Sequence, residues 1–190
     1  MKYLSIILTL PLLIASAFAA DITADDLDIQ EFELDNELQI ITLEDHSAPV
    51  VSYQMWVHTG SKNERPGITG ISHLFEHMMF KGSRKYGPEE HANIVQAHGG
   101  SLNAYTSEDV TVYFENIPAD KLELVVSLEA ERLANLALSD SMLTSEREVV
   151  KEERRYRVDN SNFGVVYETL LNNAYTVHPY RWSVIGSMDD

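Results

Sequence analysis

The chain has 190 residues, of which 44% are hydrophobic, and its 30 acidic residues outnumber 14 lysines and arginines, giving a formal net charge of −16 at pH 7. Such a negative surface repels nucleic acids and anionic membranes, so neither is expected as a partner; it favours neutral or cationic peptides, or serves solubility alone. The chain contains no cysteine, so its stability must come from a buried core, and a metal site must use histidine and carboxylate ligands.

Residues 1–19 have the pattern of a signal peptide. Lys2 precedes an apolar run from Ile6 to Ile14, and Ala17 and Ala19 place small residues at the two positions that a signal peptidase reads. We expect cleavage after Ala19, which leaves residues 20–190 as an exported domain, periplasmic or secreted. An uncleaved anchor is the alternative, although the apolar run is short for a bilayer span. No membrane span is expected after cleavage.

The segments that follow predict an α+β fold. Two stretches, Ile29–Leu34 and Leu38–Leu43, alternate in polarity around Asp35-Asn36, which predicts a β-hairpin. The other predicted elements, in chain order, are a strand at 50–58, a helix from Gly70 to Lys81, a helix from Pro88 through His98, strands at 101–105 and 110–116, a long helix from Pro118 to Leu136, a helix entered through Ser139 or Asp140, and a short helix at 164–173. This order fits helices packed on one face of a mainly antiparallel sheet.

The segment His73-Leu74-Phe75-Glu76-His77 carries the residue types of a hydrolytic zinc site. On an α-helix, at about 100° per residue, His73, Glu76 and His77 fall within an arc of roughly 100° and can point at one ion. Neutral imidazoles suit Zn²⁺, and a nearby carboxylate can accept a proton from the water that the ion activates. A five-residue pattern also arises by coincidence, and a catalytic zinc site usually takes a third protein ligand.

The predicted glutamate-rich helix after Ser139 offers that third ligand. Its apolar residues predict a stripe that faces the core, and the stripe consists of Met142, Leu143, Val149 and Val150. Glu146 and Glu153 lie inside the stripe, whereas Glu152 lies outside it. Because burying an unpaired carboxylate is costly, the two inner glutamates require a cation, a hydrogen-bond donor or a metal. The alternative for Glu153 is an ion pair with Arg157, one helical turn away.

Further short motifs surround the histidine pair. In chain order they are Gly60-Ser61-x-x-Glu64, Gly70-Ile71-Ser72 before His73, Phe80-Lys81-Gly82, Gly99-Gly100-x-x-Asn103-Ala104-x-Thr106, the segment from Glu146 to Glu153, and His178-Pro179-Tyr180. Together these motifs resemble the inverted-motif (HxxEH) zinc metallopeptidase family of pitrilysin, insulysin and mitochondrial processing peptidase. The resemblance covers roughly residue 31 to the last residue.

The resemblance implies one Zn²⁺ per chain, with His73, His77 and Glu153 as its ligands. It makes Glu76 the general base, and it places Glu146 behind the ligands as a support of the site. The helical wheel and the resemblance thus select the same glutamate as a candidate third ligand on separate grounds.

The resemblance also assigns a substrate-binding strand. In the family, the strand that matches Asn103 and Ala104 lies at a sheet edge and pairs with an extended peptide; the residues themselves indicate only a strand after a turn. The aromatic residues Tyr105, Tyr113 and Phe114 fit strand packing better than ligand recognition. The remaining histidines have no ligand spacing and are expected to be structural or on the surface; they are His46, His58, His91, His98 and His178.

The resemblance also implies a second, similarly folded half or a partner subunit, because it extends only over the family's N-terminal half. We therefore expect residues 20–190 to form a zinc-binding peptidase domain without that second half. The leading hypothesis is a zinc-dependent metalloendopeptidase that hydrolyses short or unfolded peptides, with water on zinc activated by Glu76. The alternatives are a non-catalytic binding or assembly subunit, an inactive truncated fragment that retains the fold, and a zinc storage or sensor protein.

Overall fold

The structure, a computed structural model, describes residues 27–190, so the predicted signal peptide lies outside the described residues. Strands β1 (Ile29–Glu33) and β2 (Gln39–Leu43) pair antiparallel, with Phe32 opposite Ile40, and form a two-stranded sheet of their own. The predicted hairpin is therefore confirmed. It belongs to a unit that ends at Ser47, and the remaining elements belong to a second unit.

The second unit contains a three-stranded antiparallel sheet. Its strands are β3 (Val50–Val57), β4 (Ser101–Thr106) and β5 (Thr111–Pro118), in the spatial order β3-β5-β4. In this order β4 pairs only with β5 among the described residues, so it lies at an edge of the sheet. All three strands agree with the predicted positions to within about two residues, the usual uncertainty of element boundaries.

Helices cover one face of this sheet. Val95, Ile117, Val125 and Leu128, each at most 2% exposed, form the core between the sheet and two of the helices. The opposite face carries Trp56, which is 52% exposed. This arrangement confirms the predicted α+β class. The helices are α1 (Ile71–Met78), α2 (Glu90–Ala97), α3 (Leu122–Asn135), α4 (Asp140–Arg154) and α5 (Asn162–Ala174), and a π-helical turn, Arg155–Asp159, follows α4.

One predicted boundary is wrong. Pro118 was expected to open the long helix, but it ends β5 opposite Val50, and a 3₁₀ turn (Ala119–Lys121) separates it from α3. Proline suits the last position of a strand because its missing N–H costs no internal hydrogen bond there. Of the helices in residues 27–190, none combines the length and apolar character that crossing a bilayer requires.

The buried face of α4 is narrower than predicted. Glu146 and Val150 are buried, but Leu143 is 44% exposed and Val149 is 49% exposed. Helix α1 has eight residues against fifteen in α4, so it cannot cover the first turn of α4, where Leu143 lies. Val149 lies about 100° around the helix from Val150 and therefore falls on the flank. The two carboxylates, rather than the apolar residues, mark the face that meets α1.

A polar cluster lies in the core between the sheet and the helices that cover it. His91 contacts Glu115, with 2.6 Å between His91 Nε2 and Glu115 Oε1, and Arg132 donates two hydrogen bonds to Glu129. Burial raises the pKa of Glu129 to about 7 and lowers the pKa of His91 to about 4. His91 is therefore buried in the core and not on the surface, and its structural role stays a prediction.

Candidate metal centre

The helix that carries the histidine motif begins at a carboxylate cap. Glu64 is buried, and its two carboxylate oxygens accept hydrogen bonds of 2.8 Å from the backbone N–H groups of Gly70 and Ser72. A carboxylate at this position satisfies N–H groups that have no partner within the helix and is favoured by the helix dipole. Gly70 has φ 86°, a left-handed conformation that favours glycine. The cap therefore fixes where α1 begins and which face of it meets α4.

Three candidate ligands converge where α1 meets α4. The distance from Glu153 Oε2 is 3.2 Å to His77 Nε2 and 3.8 Å to His73 Nε2. Tetrahedral zinc with bonds of about 2.0–2.1 Å holds neighbouring donor atoms about 3.3–3.4 Å apart. The two nitrogens and the carboxylate oxygen thus fit one zinc ion and leave a fourth position for a further ligand. Burial lowers the pKa of His73 to about 4, so its imidazole is neutral at pH 7, the form that coordinates metals.

Glu76, on the same face of α1, is held by the edge strand. Thr106 donates a hydrogen bond of 2.5 Å from its Oγ1 to Glu76 Oε2. The register of the sheet explains this contact, because Thr106 lies opposite Thr111, whose side chain is buried on the face that the helices cover. Burial raises the pKa of the half-buried Glu76 carboxyl, although the hydrogen bond from Thr106 works in the opposite direction. A carboxylate with a raised pKa is suited to accept and release a proton near neutral pH.

Glu146 lies behind the ligands, where the resemblance expects it. Its Oε1 is 2.9 Å from His77 Nδ1, and its Oε2 is 2.8 Å from Lys81 Nζ. Since a carboxylate can only accept, Nδ1 of His77 is the donor to Glu146, which leaves Nε2 as the ring nitrogen that would coordinate a metal. The hydrogen bond to Glu146 raises the pKa of Lys81, so Lys81 is charged at neutral pH.

The geometry of Glu153 is compatible with both roles considered for it, the ion pair with Arg157 and metal ligation. While Oε2 faces the two histidines, Oε1 is 3.0 Å from Arg157 Nε. The ion pair that was weighed against metal binding therefore occupies the other oxygen and leaves Oε2 available. Glu152, in contrast, is exposed and pairs with Arg155. The structure thus brings Glu153 to the site and leaves its neighbour at the surface.

The ligand cluster opens into a cavity of about 790 Å³ that also borders Asn103, Ala104 and Tyr105 of β4. The backbone N–H of Ser107 donates to Val110 O, so alternation along the antiparallel pair turns the backbone groups of Ala104 toward the open edge. Among the described residues, the N–H of Ala104 has no strand partner at this edge; it donates a hydrogen bond of 2.9 Å to Asn103 Oδ1. Tyr105 borders the cavity and is 43% exposed, and it lies opposite the buried Val112 in the sheet. Its expected role in strand packing rather than ligand recognition stays a prediction.

A segment near the end of the sequence also lines the cavity. Ser183, Val184 and Ile185 border the cavity. Arg154, next to Glu153 on α4, donates to the carbonyl oxygen of Gly186 and so ties this segment to the ligand helix. The segment therefore closes one side of the cleft that the sheet edge opens.

Several contributors to the site were not assigned a role from the sequence. They are Glu64, Lys81, Thr106 and Arg154. Glu64, Lys81 and Thr106 lie within the short motifs, and Arg154 directly follows the segment from Glu146 to Glu153, which was the available signal. Their roles depend on contacts between elements, and the motifs alone do not give those contacts.

This is a two-layer α+β domain in which a His-x-x-Glu-His segment on one helix meets a glutamate from a second helix, beside an open sheet edge. These features define the class of inverted-motif metallopeptidase domains. Residues 39–187 match the family model described as insulinase, peptidase family M16, and the chain belongs to this family. The resemblance noted from the sequence is therefore confirmed.

Relatives of the chain agree with this assignment. The zinc protease PqqE of Helicobacter pylori is 39% identical over 158 residues, which are 83% of this chain and 36% of that protein. Cytochrome b-c1 complex subunit 1 of Bos taurus is 30% identical over 85% of this chain and 33% of its own length. A crystal structure of a protease from Helicobacter pylori matches with a TM-score of 0.84 at 37% identity, covering 86% of this chain and 39% of that one. The chain spans little more than a third of the length of these relatives.

Proposed function

We propose that the chain is the zinc-binding part of a metalloendopeptidase that hydrolyses peptide bonds in short or unfolded peptides. The observation that carries the proposal is the convergence of His73 Nε2, His77 Nε2 and Glu153 Oε2 within 4.8 Å of one another. When bound, zinc supplies a Lewis acid that polarises a peptide carbonyl and lowers the pKa of water toward about 7. His73, His77 and Glu153 would hold this ion.

The remaining chemistry belongs to Glu76 and the edge strand. Glu76 takes the proton of the attacking water on Oε1, because Thr106 occupies Oε2, and it passes that proton to the amine that leaves. An extended peptide pairs with the open edge of β4 through the backbone of Ala104, beside the side chain of Asn103, and so lies across the mouth of the cavity. Pairing through the backbone suits short or unfolded peptides, which can adopt a strand.

The names of two relatives support hydrolysis. The Helicobacter pylori relative is called a zinc protease, and so is the Bacillus subtilis protein YmxG, which is 28% identical over 84% of this chain. Since the relatives are longer, we propose that a second homologous half or a partner subunit completes the cleft. The signal-peptide pattern of residues 1–19 supports a periplasmic or secreted location.

A second candidate function, a non-catalytic assembly subunit, is favoured by the similarity to cytochrome b-c1 complex subunit 1, a name that describes membership of an assembly. In a subunit of that kind, nothing requires a carboxylate at position 76 or a threonine that orients it. The hydrogen bond between Thr106 and Glu76 therefore favours the peptidase.

The test compares the chain with its Glu76→Gln variant at equal metal loading, measuring zinc per chain and cleavage of a quenched peptide library. We expect one zinc in each protein, and cleavage that falls by at least about 100-fold in the variant, the usual contribution of a general base. Glu152→Gln, which removes the same charge from an exposed glutamate, is the matched control and should cleave normally. Zinc in both proteins without cleavage in either would favour the assembly subunit, and absence of zinc would refute the ligand assignment.

A further inference from the structure

We propose that Lys81 is a positioning residue for metal binding, which it supports through Glu146 and His77. This inference rests on the ligand set of the proposed function. Lys81 Nζ lies 2.8 Å from Glu146 Oε2, and Glu146 Oε1 lies 2.9 Å from His77 Nδ1. Contacts therefore connect Lys81 through Glu146 to Nδ1 of His77, and Nε2 of the same ring is the nitrogen proposed to bind zinc. Removing the cation at its far end should therefore weaken zinc binding without touching a ligand.

Glu146 requires a cation because it is buried. Its side chain is 6% exposed, so water does little to screen its charge and a cation beside it is needed. In residues 27–190, Lys81 is the lysine or arginine that forms an ion pair with it. A buried carboxylate that loses its charged partner is destabilised, and its side chain is expected to move. Such a movement would disturb the hydrogen bond between Glu146 and the His77 ring.

The backbone fixes Lys81 in reach of Glu146. Its N–H donates 3.0 Å to Met78 O in the turn that ends α1, a location where a cation is also favoured by the helix dipole. Gly82 follows with φ 106°, and a Cβ at that position would collide with the carbonyl of Tyr86. The backbone therefore changes direction directly after Lys81, at the end of α1. The Lys81 side chain reaches Glu146 from this position.

The two histidines differ in how their rings are held. Among the described residues, Nδ1 of His73 is buried without a hydrogen-bond partner. Nδ1 of His77, in contrast, is bound by Glu146. Outer partners of this kind typically contribute about 10- to 100-fold to metal affinity. Lys81 should therefore act on zinc affinity through His77, and its effect should disappear when Glu146 can no longer carry a charge.

The experiment measures zinc affinity of the full chain by competition with a chromophoric chelator. We expect Lys81→Met to weaken zinc binding by about 10-fold or more, and Lys81→Arg to recover most of the loss, because arginine keeps the charge. Lys85→Met is the matched control: Lys85 is exposed and contacts the ring of Tyr86. Its zinc affinity should equal that of the parent chain.

A double-mutant cycle distinguishes positioning from a general structural effect. In a Glu146→Gln background, Lys81→Met should change zinc affinity by less than about 2-fold, since residues that act through one another are not additive. Wild-type affinity in Lys81→Met, or the same loss in both backgrounds, would overturn the proposal. The readout does not depend on turnover, so a chain that binds zinc and cleaves nothing would count against the peptidase and not against Lys81. A parent chain that binds no zinc would overturn both.

Discussion

The buried carboxyl of Glu129 should make the stability of this domain fall as the pH rises. Glu129 is 1% exposed, and burial raises its pKa from an ordinary value of 4.5 to about 7, against the opposing effect of Arg132. Between these two pH values the folded chain keeps a proton that the unfolded chain releases. The free energy of unfolding therefore decreases with pH across this window, and the full loss is about 3 kcal/mol.

Glu129→Gln removes the ionisable group and keeps a side chain of nearly the same shape. Its amide can still accept from Arg132 and can donate to the neighbouring Glu115, whose own pKa is also raised by burial. The stability of the variant should therefore increase relative to the parent by about 3 kcal/mol between pH 4.5 and pH 8. His91 works in the opposite direction, because its pKa is lowered to about 4, but it is present in both proteins and largely cancels in the difference.

The assay is urea unfolding of the metal-free chain at a series of pH values, with the difference in free energy between variant and parent as the readout. Other charged or titratable groups near the cluster are unchanged, and they include Tyr53 and Tyr113. Glu123→Gln, at an exposed position on the same helix, is the control and should give a difference that does not vary with pH. A difference for Glu129→Gln that is also flat, or that falls as pH rises, would refute the reasoning.

Two further predictions concern the metal centre. Glu153→Gln should weaken zinc binding by more than about 100-fold, which is more than the loss of a residue that only hydrogen-bonds a ligand causes. Glu152→Gln should leave zinc binding unchanged. Equal affinities in the two variants, measured by chelator competition, would contradict the choice of Glu153. Thr106→Val should lower kcat by about 10-fold at unchanged zinc content, the value of one hydrogen bond to a charged group, while Thr106→Ser keeps most of the rate. Equal rates for valine and serine would show that this hydrogen bond does not orient the base.

The features that could be predicted from the sequence are those that repeat along one element. Polarity alternation predicted the hairpin and the strands of the sheet, and helical spacing predicted that His73, Glu76 and His77 share one face. The same spacing separated Glu153 from Glu152, and of these two neighbours it is Glu153 that contacts the histidines in the structure. These predictions succeeded because a helix or a strand fixes the directions of its own side chains wherever it is packed.

Helical spacing was less successful where burial depends on what covers the helix. It predicted a buried Leu143 and a buried Val149 on α4, but both are exposed. The periodicity of α4 describes which side chains share a face, and the length and position of α1 decide how much of that face is covered.

The amino-acid sequence by itself determined the secondary structure, the ligand-bearing faces and the family to which the chain belongs. Only the tertiary structure decided which distant side chains support those faces: Thr106 beside Glu76, and Lys81 beside Glu146. Thirty residues separate the first pair, and the contact exists because the strand register directs Thr106 toward α1. Local periodicity orients side chains within an element, but the distance between two elements is set by packing between them.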